Sequence, residues 1–296
     1  MNSTAVSNSL NKVHPICVTR GKNSEVWDAS GNRYIDFIGG IGVLNLGHCH
    51  PEVVRTVCEQ TEKLMHSAFN ALPHQGYFTL AERLQSFVPV DYPLVSMLTN
   101  SGGEAADNAL KIARAATGRT AVIAFDDGFH GRTLSTLNLN GKVKPYKSSL
   151  GALPGPVYHV PFPSKDNGVS ADEALKCLKR LFEIEVDPVA VAALFLEPVQ
   201  GEGGFRKLDP DFVQPLMGLC REHGILLVVD EIQSGFGRTG KPFAFDQLEL
   251  VPDLLLMGKS MAAGLPLAAV SGRESVMNAL PKGGLGGTYS GNAIAC

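Results

Sequence analysis

The sequence predicts an α/β protein with a mostly parallel central sheet, helices on both faces, and part of a small lobe. Three observations predict it. Short apolar runs, such as residues 225–229 and 254–257, are bounded by glycine or polar residues, the pattern of strands buried on both faces. From about residue 95 such runs alternate with stretches of helical apolar spacing, and that alternation builds parallel sheets with helical crossovers. Before residue 47 the pattern changes: two short stretches flank Ser30-Gly31-Asn32 and read as a hairpin.

In chain order, Val26 and Trp27 precede that turn, and Tyr34 and Ile35 follow it. A glycine-rich stretch, Gly39 to Gly47, leads through His48-Cys49-His50 to Pro51, a good first residue for a helix with Val53, Val54, Val57 and Leu64 along one side. His48 and His50 raise a metal reading, but no third ligand lies at a recognisable spacing, and a turn before a helix accounts for them. A strand at 95–99 enters a helix from about Gly103, with Ala106, Ala109, Leu110 and Ala113 on one face. A strand at 121–125 follows, with a helix from His130 onward, then a strand at 157–160 and a helix at 171–183. A strand at 192–196, a helix at 210–223 and the strands at 225–229 and 254–257 complete the sheet. The expected division is an incomplete small lobe at 1–47 and a large domain at 48–296. A C-terminal small domain is expected to be missing, because nothing after the sheet closes the lobe.

Composition narrows the function. The chain has 296 residues, 44% hydrophobic and 19% charged, with a net charge of -3. That is a globular protein without the basic footprint of nucleic-acid or acidic-membrane partners. The six cysteines form no C-x-x-C pair and suit reduced thiols. Neither a signal peptide nor an apolar run long enough to span a bilayer is visible, so a cytoplasmic place is expected.

The chemistry gathers at predicted strand ends. Asp230 closes the 225–229 run and Lys259 lies just past 254–257; ligands of open α/β sheets bind beyond such ends. Alone, the two residues are better explained as a structural ion pair or as strand ends in solvent. Ser101-Gly102-Gly103 carries a strand into a helix through small residues, the build of a phosphate seat. Phe129, His130 and Arg132 follow the 121–125 strand, an aromatic able to stack on a flat ring and a guanidinium able to hold a carboxylate. Gly235 to Gly240 matches the dinucleotide fingerprint G-x-G-x-x-G. Its context argues against a nicotinamide enzyme, because residues 230–234 separate it from its strand and Lys241-Pro242 interrupts any helix. An anion seat, a stacking aromatic, an acid and an amine are together the parts a pyridoxal phosphate enzyme needs. The lysine forms a Schiff base with the aldehyde, the acid keeps the pyridine nitrogen protonated, and the freed lysine carries protons.

Six segments in order then resemble the class III, or omega, aminotransferases of the pyridoxal-phosphate-dependent transferase fold type I. They are Asn100 to Ala105, Phe129-His130-Gly131-Arg132-Thr133, Glu197 to Gly204, Asp230 to Gly240, Gly258-Lys259-Ser260 and Gly287-Thr288-Tyr289. Within the family the 4-aminobutyrate aminotransferases are the nearest resemblance, through Gly39 to His48, Tyr158 to Pro161 and Gly264 to Ala268. The resemblance implies pyridoxal 5'-phosphate as cofactor, with Lys259 carrying the Schiff base, Asp230 at the pyridine nitrogen and Gln233 at the phenolic oxygen. Phe129 would stack on the ring beside His130, Ser101, Gly102 and Gly103 would hold the phosphate, and Thr288 would reach the phosphate of a neighbouring subunit. Arg132 would grip the substrate carboxylate, Ile41 would shape the pocket, and Glu202 would pair with an arginine that this sequence does not contain.

The implied activity is ping-pong transamination of an omega-amino acid, 4-aminobutyrate, with 2-oxoglutarate, giving succinate semialdehyde and glutamate. The implied assembly is a homodimer with shared active sites, or a tetramer. Alternative amine donors are 5-aminovalerate, ornithine and acetylornithine, since a methylene discriminates by only about 1–3 kcal/mol. A reading from another class is a catalytically inactive fragment, with apolar surface uncovered and Glu202 unpaired.

Overall fold

The computed structural model describes residues 5–296. Its centre is a seven-stranded sheet assembled from strands β4 (Leu94–Thr99), β5 (Ala121–Phe125), β6 (Val157–Val160), β7 (Val191–Leu196), β10 (Leu226–Asp230), β11 (Leu254–Met257) and β12 (Ala268–Arg273). Their spatial order is β4-β12-β11-β10-β7-β5-β6. All run parallel except β12, which is antiparallel to both its neighbours. The predicted strands are all present. The sequence reading did not contain β12, nor the helix Gln75–Phe87 that packs beside β4.

Each inner strand feeds two cores because successive side chains point to opposite faces. Leu254, Leu256, Val228, Ala193 and Phe195 pack with the alanine face of helix Gly102–Thr117, where Ala106, Ala109, Leu110 and Ala113 are buried as their spacing predicts. Leu255, Met257, Leu227, Val229 and Leu194 face the other way, into the cluster that holds helices Ala171–Ile184 and Val213–His223. Helices Gly102–Thr117 and Val213–His223 end on left-handed glycines, Gly118 and Gly224, which such C-terminal turns favour. Arg119 Nη1 locks the lower edge by donating to the carbonyls of Val191, His223 and Gly224 at 2.8–3.1 Å.

The N-terminal part forms its own three-stranded antiparallel sheet of β1 (Val18–Lys22), β2 (Glu25–Asp28) and β3 (Arg33–Ile35). The predicted hairpin is β2–β3, its turn closed by Asp28, which accepts from the backbone of Ser30 and Asn32. Asn23 and His48 exchange backbone hydrogen bonds at 2.9 and 2.7 Å, joining this sheet to the glycine-rich stretch. His48 Nε2 lies 2.7 Å from Asp36 Oδ2, so this histidine is occupied by a carboxylate. Helix Pro51–Lys63 begins at proline as predicted, but none of its residues is fully buried. The remaining short ladder, β8 (Val199–Gln200) with β9 (Arg206–Lys207), turns the loop after β7 back on itself. Among the described residues no helix is long and apolar enough to cross a membrane.

Leu194 sits in the middle of the sheet at 1% exposure. Leu194→Ala is expected to cost about 2–5 kcal/mol, read as a lower urea midpoint with the slope of the transition unchanged.

Candidate active site

Five parallel strands deliver the site. Ser101 lies two residues past β4, Phe129 and His130 just past β5, Glu197 one residue past β7, Asp230 at the last position of β10, and Lys259 two residues past β11. Because Asp230 pairs with Leu256 in the β10–β11 register, the acid and the amine leave neighbouring strands at one edge. They line a common cavity of about 360 Å³ with Asn100, Gly102, Gly103, Phe129, His130, Glu197, Glu202 and Gln233, among others.

The anion seat is built by capping chemistry. Ser101 is the N-cap of helix Gly102–Thr117, its Oγ accepting from Glu104 N at 3.3 Å. Glu104 reaches back to Asn100, accepting from its backbone N at 2.8 Å and its side-chain amide at 2.9 Å. The first backbone N–H groups of the helix, on Gly102 and Gly103, lack intrahelical acceptors, as first-turn groups do. Both glycines line the cavity.

Asp230 is 3% exposed. Its Oδ1 accepts from Ile232 N at 3.0 Å, and its Oδ2 lies 2.8 Å from His130 Nδ1. Burial works against a charged His130. The hydrogen bond to Asp230, that residue's charge and the charge of Glu197 outweigh it, so the imidazole pKa is raised. His130 is held in turn by its backbone N donating to Asn140 Oδ1 at 2.7 Å, while Asn140 Nδ2 donates to the carbonyl of Gly131 at 2.9 Å.

Lys259 follows Gly258 in a short 3-10 turn with φ 46°, a left-handed conformation that is uncommon for a non-glycine residue. Its Nζ donates to Gln233 Oε1. Burial lowers its pKa, opposed by the negative charges of Asp230, Glu197 and Glu202. The amine is therefore biased toward its neutral, nucleophilic form.

Sequence reasoning missed two buried carboxyls. Glu197 accepts from Phe129 N at 2.9 Å and Gly201 N at 3.3 Å, and burial pushes its pKa up to about 7. Glu231, beside Asp230, accepts from Phe245 N at 2.6 Å and Ser234 Oγ at 2.5 Å, and burial likewise pushes it up to about 7. The second half of the G-x-G-x-x-G stretch is a run of turns that ties this layer to the N-terminal glycines: Arg238 donates to Gly42 O at 3.2 Å and Asn45 to Phe236 O at 2.9 Å.

Of the remaining predicted residues, Glu202 lines the cavity and Arg132, Ile41 and Thr288 lie outside its lining. Arg132 is exposed and lies over the Tyr146 ring at 4.8 Å and the Phe129 ring at 6.0 Å. Glu202, expected to be unpaired, is not: its Oε2 accepts from Tyr146 Oη at 3.1 Å and its carbonyl from Lys142 Nζ at 3.0 Å. Within this chain a tyrosine takes up the carboxylate. Ile41 is 63% exposed and Thr288 is exposed; neither lines the cavity.

A mostly parallel sheet with an amine, a histidine-backed carboxylate and an open helix N-terminus converging at its strand ends is the layout of a pyridoxal-phosphate-dependent transferase of fold type I. The chain belongs to the class III aminotransferases, whose family model matches residues 6–296. It is 63% identical over its whole length to the 2-aminoadipate transaminase of Pseudomonas putida, covering 71% of that protein. It is 49% identical over 294 residues to the 4-aminobutyrate aminotransferase GabT of Escherichia coli, covering 99% of this chain and 69% of that one. The solved ornithine aminotransferase of Toxoplasma gondii superposes with a TM-score of 0.83 at 35% identity, over 97% of this chain and 66% of its own. The present chain thus spans about two thirds of the length of these relatives.

Pyridoxal 5'-phosphate is the cofactor of the family, and the cavity fits it. The free N–H groups at the helix start suit a phosphate, the Asp230 carboxylate suits a protonated pyridine nitrogen, and the desolvated Lys259 amine suits an aldehyde.

Glu231 supplies a stability test. Its folded pKa lies above its unfolded value, so between about pH 4.5 and 7 the unfolded chain gives up its proton first and stability falls as pH rises. Glu231→Gln keeps the acceptor for Phe245 and removes the titration. Urea unfolding at pH 5 and pH 8 should show a smaller loss in the variant, by roughly 1–3 kcal/mol; equal losses would contradict the assignment.

Proposed function

We propose that this chain forms the catalytic body of an aminotransferase acting on amino acids with a carboxylate two or three methylenes from the amine-bearing carbon, with 2-oxoglutarate as acceptor. The observation that carries it is the rim arginine: Arg132 stands beside Phe129 outside the cavity that holds Lys259 and Asp230. A substrate whose amine reaches Lys259 would leave its distal carboxylate at that guanidinium. Both 4-aminobutyrate and 2-aminoadipate have this shape. The 63% identity to a 2-aminoadipate transaminase, against 49% to a 4-aminobutyrate aminotransferase, favours 2-aminoadipate, while the motifs that resemble the latter family keep 4-aminobutyrate as the second reading.

Bound pyridoxal phosphate would supply an aldehyde for amine exchange and a ring that takes up the electrons of a broken C–H bond. The residues supply the rest. Lys259 Nζ would tether the aldehyde carbon and, once displaced, would move the proton between substrate and cofactor carbons. Asp230, hydrogen-bonded to His130, would hold the ring nitrogen protonated, and Gln233 would donate to the phenolic oxygen. Phe129 would cover the ring face, and Ser101 with the N–H groups of Gly102 and Gly103 would bind the phosphate.

Two predicted residues act away from this chain's own cavity in this reading. Thr288 would complete the phosphate site of a second subunit in a homodimer, and Ile41 would shape the substrate wall once covered. Residues 1–47 would then belong to a small lobe and 48–296 to the large domain. The enzyme would work in the cytoplasm.

Borohydride reduction of the cofactor-loaded protein should leave its label on the peptide containing Lys259. Label on Lys111 or Lys241 instead would overturn the assignment. Arg132→Ala should lower kcat/KM for 2-aminoadipate and 4-aminobutyrate about 10²-fold or more, in line with loss of a charge-assisted carboxylate clamp, while changing an uncharged alkylamine little. Equal losses for acid and alkylamine would remove the clamp. The ratio of 2-aminoadipate to 4-aminobutyrate turnover decides between the two substrates.

A further inference from the structure

The mouth of the site is bordered by two groups of opposite charge, Arg132 and Glu202, and one residue touches both. Tyr146 turns its ring face to the Arg132 guanidinium at 4.8 Å and donates its hydroxyl to Glu202 Oε2 at 3.1 Å. The same ring stands 5.3 Å from that of Phe129. Its position is set from below: Asn140, fully buried, is bonded to both His130 and Gly131, and Gly141 N donates to Gly128 O at 2.9 Å. A side chain at Gly141 would meet Asp127 N at 2.1 Å, so only glycine lets this irregular segment press against the turn after β5 on its way to Tyr146. Lys142, next along, holds the Glu202 carbonyl at 3.0 Å and lies 3.5 Å from Asp127 Oδ1, which also receives Arg206 at its other oxygen.

We propose that Tyr146 is a specificity-determining positioning residue: by occupying Glu202 with its hydroxyl and Arg132 with its ring, it keeps the two charges from neutralising each other and leaves the guanidinium edge free for a substrate carboxylate. The physical reason is competition. A ring face attracts a guanidinium without using its N–H donors, whereas a carboxylate takes two of them in a bidentate pair. A guanidinium stacked on tyrosine can still donate to a ligand; one paired with Glu202 cannot. The stacked arrangement also restricts the arginine in advance, so less side-chain freedom is lost when the carboxylate arrives.

This rests on the reading of Arg132 as the carboxylate clamp, and the test separates the two. Pentanoate, a carboxylate without an amine, is titrated calorimetrically into the cofactor-loaded protein and into its Tyr146→Phe, Tyr146→Leu, Arg132→Ala and Arg132→Ala/Tyr146→Leu variants. Kinetics with 4-aminobutyrate and with pentylamine run in parallel. Tyr146→Phe, which frees Glu202, should weaken pentanoate about threefold, and Tyr146→Leu, which also removes the ring face, about tenfold. Both effects should appear in KM for 4-aminobutyrate, with kcat and the pentylamine reaction little changed. In the double variant, loss of Tyr146 should add nothing to the loss of Arg132. Additive losses in the double variant, or unchanged pentanoate binding in Tyr146→Leu while Arg132→Ala weakens it, would overturn the role of Tyr146. Unchanged pentanoate binding in Arg132→Ala would instead overturn the clamp itself.

Discussion

A carboxylate that is 3% exposed at the end of a central strand needs hydrogen-bond partners in place of water, and much of the site is arranged to supply them. An ion removed from water loses several kcal/mol unless partners replace its hydration. Asp230 has them on both oxygens: the Ile232 N–H on one and His130 on the other. His130 in turn is fixed through Asn140 and packs edge-on against Phe195 at 5.7 Å, so the counter-charge is anchored in the hydrophobic core. The two residues are 100 positions apart in sequence. Parallel strands with their carboxyl ends on one edge bring them together, so the fold itself supplies the carboxylate's partner.

The same edge must also let its loops approach one another closely, and glycine answers that need at two positions. A side chain at Gly102 would meet Ile232 at 2.7 Å, and one at Gly131, with φ 137°, would meet the Cα of Gly103 at 2.7 Å. The anion seat after β4 and the turn after β5 therefore meet backbone to backbone at the floor of the cavity, and the Ile232 side chain from the loop after β10 packs directly on Gly102. Close packing of this kind leaves few alternative arrangements. It holds the helix start and the acid in a fixed relation before any ligand arrives.

The sheet was legible because its inner strands are buried on both faces, which forces uninterrupted apolar runs such as Leu254 to Met257. Strand β12 escaped the reading for the opposite reason. Its Ser271 spends its hydroxyl on Ser96 at 2.7 Å, and Gly272 lies where a side chain would strike Asp253 O at 2.4 Å, so packing demanded small and polar residues where the pattern demands apolar ones. The gathering of Ser101, Phe129, Asp230 and Lys259 followed from their places just past strand ends. The burial of Glu197 and Glu231 did not, since a carboxyl beside a strand carries no mark in the sequence of whether a backbone N–H will meet it. Tyr146 was silent for a related cause: its contacts with Arg132 and Glu202 depend on the path of an irregular segment, set by Asn140 and Gly141 and by no periodicity.

The floor and the rim differ in how strongly they are held. The floor is desolvated, and Asp230, His130, Glu197 and Glu231 each have a partner whose loss would strand a buried polar group, at roughly 1–3 kcal/mol or more. At the rim, Arg132 and Glu202 are exposed and Tyr146 half-buried, and a cation on an exposed ring gains only about 0.5–1 kcal/mol. Substitutions there change which carboxylate is preferred without disturbing the charge pair beneath. Relatives whose names give different substrates match essentially the whole of this chain, as expected if the costly interactions are shared and the cheap ones diverge. Substrate preference in such a site is then a property of a few weak, solvent-facing contacts laid over a rigid and strongly coupled base.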